Sequence, residues 1–107
     1  MSFHAAAVKQ AVAHGLAGRL IIWADYAPTA LARWATNVGL CGVGVEHFLL
    51  GQPLVAALRD AGLSVTTGTI NHAAVAERAL AYAPDAVTSD RPHQLAAELA
   101  QRRLLAA

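Results

Sequence analysis

The chain is short of charge, of lysine and of cysteine, and each shortage removes a class of function. Only 14% of its 107 residues are charged and 56% are hydrophobic. That excludes disorder and predicts a well-filled core within one domain, residues 1–107. The basic residues are seven arginines and a single lysine, Lys9, net charge is +1, and Arg102-Arg103 is the only basic pair. Nucleic-acid recognition needs a concentrated basic face, so no nucleic-acid partner is expected. One cysteine, Cys41, cannot form an intrachain disulfide. It opens a strand-like segment and is expected as a small buried hydrophobe rather than a nucleophile. No stretch reaches the ~18 to 20 apolar residues of a membrane span. Met1-Ser2-Phe3-His4 lacks a charged region followed by an apolar run, so a cytoplasmic location is expected. The chain contains no GxGxxG, GxxxxGK[ST], GxSxG or CxxC, which removes the usual sequence grounds for dinucleotide, phosphate-loop, nucleophile-elbow and dithiol chemistry.

Against these absences stands a regular alternation. Four segments read as strands: Arg19–Ala24, Cys41–His47, Leu63–Ile70 and Asp85–Asp90. Each is short and, glycines apart, rich in β-branched or apolar types. None alternates cleanly, a pattern that suits strands buried on both faces of a parallel sheet. Between them lie helical stripes: Leu31, Trp34, Ala35 and Val38; Leu54, Leu58 and Ala61; Val75, Ala79 and Tyr82. A leading helix over about Ala5–Leu16 carries Val8, Val12 and Leu16, and a trailing one over about Pro92–Leu105 carries Leu95 and Leu99. Gly39 and Gly62 stand where left-handed helix ends are wanted, and Pro28 and Pro53 near helix starts. Arg19, Cys41, Leu63 and Asp85 open the strands at a constant pitch of 22 residues.

The fold class is therefore α/β: an N-terminal helix followed by four βα units with right-handed crossovers and a parallel sheet. Four strands do not close a (βα)₈ barrel, which needs eight in about 250 residues. Three arrangements remain: an open sheet with helices on both faces, a ring completed by a second copy, or a truncated fragment of a longer protein whose missing half would cover its edges. Uncovered parallel edges invite association, so a homodimer or a partner is expected over a free monomer.

Ligands of parallel α/β folds bind beyond the C-terminal ends of the strands. Those ends are Trp23-Ala24-Asp25-Tyr26, Glu46-His47, Thr69-Ile70-Asn71-His72 and Ser89-Asp90-Arg91. Adjacent strand residues point to opposite faces. If Gly42, Gly44 and Glu46 form the inner row, Glu46 is the site residue and His47 packs outward. Asn71 and Asp90 precede helices and read first as N-caps, although a cap and a phosphate site can share a loop. Asp25 reads as organising the turn before Pro28, and His4, His14, His72 and His93 as surface residues.

One family resemblance is carried by particular runs. Ala61-Gly62-Leu63-Ser64-Val65, Gly68-Thr69-Ile70-Asn71 and Pro84-Asp85-Ala86-Val87-Thr88-Ser89-Asp90-Arg91-Pro92 stand in the order and spacing of the closing section of glycerophosphodiester phosphodiesterases. Ile21–Ala35 resembles that family's fifth unit, and the likeness covers about residues 19–100. It implies the C-terminal half of a TIM-type barrel. It also implies a glycerophosphodiester-type small molecule as ligand, with Glu46, Gly68, Asn71 and Asp90 in the wall of its site. The family's chemistry is metal-assisted phosphodiester hydrolysis in lipid metabolism. Its His-Arg, Glu-Asn, Glu-x-Asp and His-Asp motifs belong to the first half of the barrel, and none is present here. No catalytic residue, metal ligand or cofactor is therefore assigned to this chain. The family's seventh-strand Trp, which lines the pocket, is Gly68. Two functions follow: part of a hydrolase that is inactive without an N-terminal half, or a non-catalytic half-barrel for binding or dimerisation. A third reading, less supported, is an unrelated flavodoxin-like open sheet.

Overall fold

Strand order separates a barrel segment from a flavodoxin-like sheet. In the computed structural model, which describes residues 2–22 and 24–106, helix α1 (Ala5–Ala13) precedes four strand–helix units. These are β1 (Arg19–Ile22) and α2 (Pro28–Val38), β2 (Gly42–Glu46) and α3 (Gln52–Asp60), β3 (Ser64–Gly68) and α4 (Ala73–Leu80), and β4 (Ala86–Val87) and α5 (Pro92–Ala106). Every neighbouring pair is parallel, and the sheet order is β1-β2-β3-β4. A flavodoxin-like sheet reverses its order at a switch point; this one never does. The progression is that of a barrel wall, and the fold is a four-unit segment of a (βα)₈ barrel.

Side-chain rows show which face the helices cover. Leu20, Ile22, Val43, Val45, Val65 and Thr67 are buried on one side of the sheet. The apolar ones join Leu31, Ala35, Leu54, Val55 and Leu58 of α2 and α3 in one core. Thr67 is tolerated there because its hydroxyl donates to the Val45 carbonyl at 2.7 Å. A second cluster of Ile70, Ala73, Ala76, Ala79 and Leu95 lies beneath α4 and α5, and Leu50 packs against both. The opposite row, Arg19, Ile21, Ser64, Thr66 and Gly68, is only partly covered. The expectation of burial on both faces is thus corrected: β1 and β3 alternate, and only β2 is covered on both sides. Gly42 and Gly44 have no side chain to expose, and Ser64, Ile21 and Thr66 close over them.

Helix ends follow the chemistry of their residues. Gly39 and Gly62 hold φ of 87° and 78°, and in each case the next amide, Leu40 or Leu63, bonds back to the carbonyl of Ala35 or Leu58. These are Schellman endings, which a Cβ would strain. The leading helix is shorter than its apolar stripe implied. It ends at Ala13, Gly15 turns at φ 83°, and Leu16 is exposed. Ala61 likewise caps α3 from the surface rather than joining the core. The fourth strand has shrunk to two residues, with Asp85 accepting from the Val65 amide at its start. Among the α5 residues whose burial is described, only Leu95 is fully buried. Arg102 clasps Glu77 of α4 at 2.6 and 2.9 Å, and this hydrogen bond holds the Glu77 carboxyl below its ordinary range. Both groups are at the surface, so the pair orients α5 more than it stabilises it. The radius of gyration, 14.8 Å, exceeds the about 13 Å of a closed domain of 100 residues, as an open sheet with a long last helix requires.

Two single-residue expectations also change. Cys41 is exposed rather than buried, because it lies at the N-terminal rim of the open sheet, where its thiol donates to the Gly18 carbonyl at 3.2 Å. Trp23, expected at the end of the first strand, lies outside the described residues. No described helix is long and apolar enough to cross a membrane.

Candidate functional site

The uncovered sheet face ends in a shallow concavity of about 200 Å³ at the C-terminal ends of the strands. Its floor follows from strand register. Gly44 pairs with Thr66 and Glu46 with Gly68, so two pleats of β2 and β3 face the same space. Ile21, Thr69, Thr88 and Phe3 complete the lining. The expected inner row of β2 is therefore the observed one, and Glu46 sits at its top, half-buried. His47 turns away into the 3-10 turn His47–Leu49. With Phe48 it lines a separate groove beside Val75, Arg78 and Tyr82. Asp25 is exposed, as are His4, His14, His72 and His93.

Gly68 and Glu46 are brought together; Asn71 and Asp90 are brought to each other instead. The Asn71 amide donates to Asp90 Oδ2 at 3.0 Å, and its carbonyl oxygen accepts from the Ser89 hydroxyl and the Asp90 amide, both at 2.9 Å. Arg91 closes the cluster by donating to the Asn71 backbone carbonyl at 2.6 and 2.9 Å and to Glu98 of α5 at 3.1 Å. The N-cap reading is thus corrected. His72, not Asn71, occupies the cap position of α4 and makes no side-chain cap. Ser89 rather than Asp90 receives the Arg91 amide before α5. The physical reason is that β3 and β4 deliver their C-terminal loops side by side, so Asn71 finds partners across the loops before it finds them along its own helix. Replacing Asn71 by Ala removes three side-chain hydrogen bonds at a partly exposed site. It is expected to cost about 1–2 kcal/mol in urea unfolding and to speed amide exchange at Asp90. A loss of only a few tenths would show the two loops to be held independently.

Thr66 and Thr88 were missed by sequence reasoning, although stepping back two residues from Gly68 leads to Thr66 on the same face. Phe3 had no such signal. It enters the lining because Ser2 forms a parallel bridge with Leu20, accepting from the Ile21 amide at 2.7 Å, so the N-terminal residues ride the outer edge of β1.

The fold and this rim define a partial (βα)₈ barrel. Comparison with known proteins shows which barrels it is similar to in fold. No protein-family model and no curated protein matches the chain, but solved structures do. A phosphodiesterase of Oleispira antarctica, solved in complex with the product sn-glycerol-3-phosphate, superposes with a TM-score of 0.76 at 24% identity, over 90% of this chain and 39% of its own. A protein of Agrobacterium tumefaciens assigned as a glycerophosphoryl diester phosphodiesterase gives 0.81 at 19% identity, over 96% and 44%. A glycerophosphodiester phosphodiesterase assigned in Galdieria sulphuraria gives 0.77 at 20% identity, over 92% and 42%. The chain spans about two fifths of the length of these structures. At such identities the likeness is one of fold, and it is the fold that the sequence runs pointed to.

Proposed function

We propose that the chain supplies the C-terminal half of a glycerophosphodiester phosphodiesterase-type barrel and hydrolyses nothing by itself. The observation that carries this reading is the composition of the open face. Among the described residues Glu46 is the single carboxylate lining the concavity, beside threonines, glycines and the apolar Phe3, Ile21 and Val45. Metal-assisted displacement needs several ligands converging on an ion and groups aligned with the attacking and leaving oxygens. Among the described residues no group of three His, Cys, Asp or Glu is placed to hold an ion. The described residues do not fit the family's divalent metal. What they can do is form a wall. The threonine hydroxyls and the Glu46 carboxylate offer hydrogen bonds to a polyol such as glycerol, while Phe3 and Ile21 give it an apolar side. In this reading the metal ligands and the acid and base groups come from an N-terminal half, and the place of the whole barrel is cytoplasmic glycerophospholipid turnover.

A second reading rests on the same face: the half-barrel is a non-catalytic binding or dimerisation module. The two readings differ in whether hydrolysis appears once a catalytic half is supplied. For the lone chain both predict no hydrolysis of glycerophosphocholine above the buffer rate with divalent metal present. Clear turnover that a chelator abolishes would overturn both.

A further inference from the structure

At the N-terminal end of the open face lies a charge without a counterpart. Arg19 opens β1 on the inner row, and its register partner is Gly42, which pairs in turn with Ser64. Neither residue has the bulk to fill that layer, and the guanidinium lies across them: a Cβ on Gly42 would stand 2.7 Å from Arg19 Nη1. Nη1 is buried and, among the described residues, has no hydrogen-bond partner. Nη2 reaches only the Cys41 sulfur, at 3.9 Å. Guanidinium stays charged at any working pH, and here it is partly withdrawn from water, Nη1 buried and Nη2 at the exposed rim, so a covering layer that buried it further would need to supply a paired carboxylate. Glu46, the carboxylate of the inner row, sits four residues farther along β2 than Gly42, which at the rise of a strand is about 13 Å away.

This bears on what covers the face, and so it rests on the proposal that the chain is a half-barrel. The interior of an eight-stranded barrel is just wide enough for side chains to fill. A second copy related by a two-fold about the barrel axis would keep every residue at its own height. Arg19 would then meet Arg19, and each Glu46 would stay in the upper layer. We infer that the sheet completing this face is not a second copy of the chain. It is a parallel half-barrel that presents a carboxylate at the height of Arg19. Charge complementarity in that layer, rather than apolar area, selects the partner.

The Arg19→Glu chain is itself a half-barrel with a carboxylate at that height, so it serves as the probe. Sedimentation equilibrium on wild type, on Arg19→Glu and on their equimolar mixture should show association in the mixture about tenfold or more tighter than in either chain alone. Raising the salt should narrow the difference. Arg33→Glu, on the exposed face of α2, mixed with wild type should give no such gain. Should Arg19→Glu fail to fold, Arg19→Met removes the repulsion alone and is expected to self-associate more tightly than wild type. Wild type that associates with itself as tightly as the mixture, a mixture that does not associate, or Arg19→Met no tighter than wild type would each overturn the inference. None of these results touches the hydrolysis assay, which tests the half-barrel reading separately.

Discussion

Replacing Leu58 by Ala should remove about 2–5 kcal/mol of stability, as expected for a large side chain at the centre of the core. Leu58 is 0% exposed, the most completely buried α3 side chain, in one core with Val43, Val45 and Val65. It has a backbone duty as well: its carbonyl accepts from the Leu63 amide at 3.0 Å, closing α3 just before β3 begins. The alanine variant keeps that bond, so the loss measures packing alone. Domains of this size are stable by only about 5–15 kcal/mol, and this one covers a single face of its sheet. At the low end of that range Leu58→Ala would leave about half or less of the total stability. Urea unfolding would give the number; a loss under about 1 kcal/mol would mean the site collapses without leaving a cavity. Leu95→Ala is the natural contrast. It lies in the smaller cluster beneath α4 and α5, with fewer neighbours to lose.

Leu58 also shows how far the sequence could be read. Its place was legible because Leu54 and Leu58 repeat at helical spacing, and a period reports one face of one element. The same holds for the four βα units, for Gly39 and Gly62, and for the inner row ending at Glu46. Legibility failed where partners come from another segment. The period-2 signal of β1 and β3 was too short to show that one sheet face is open. Asn71 preceding a helix looks like a cap whatever lies across from it, and only the juxtaposition of two loops assigns its amide to Ser89 and Asp90. Cys41 was placed inside because the type is usually buried, while its position at a sheet rim depends on tertiary closure. Phe3 reaches the concavity through a single bridge at Ser2, for which no sequence pattern exists.

Gly68 offers the second large effect, and here the resemblance and the structure give different answers. The resemblance places an aromatic at this position, so Gly68→Trp looks like a restoration of the pocket wall. The structure gives no room for it. A Cβ on Gly68 would run into the Thr88 hydroxyl and stand 2.9 Å from the Thr88 carbonyl oxygen. The hydroxyl can rotate away, but the carbonyl is fixed: it accepts from the Ile70 amide at 2.9 Å, and the Thr88 amide donates to Thr67 at 2.8 Å. The backbone after β4 is thus seated against Gly68, and any side chain there must displace it. Gly68→Ala isolates this contact and is expected to cost about 1–3 kcal/mol as overpacking. Gly68→Trp should cost at least as much, because the indole brings the same Cβ. Thr88→Gly clears the hydroxyl and the Cβ while leaving the carbonyl in place. In the Gly68→Ala background it should recover part of the loss, with a coupling of about 0.5–3 kcal/mol in a double-mutant cycle. Additive losses would show that Thr88 is not what excludes a side chain at Gly68. With coupling, the fourth unit of this chain has closed over the place where the resembled enzymes line their pocket. Among the described residues, Phe3 is then the aromatic side chain left in that wall.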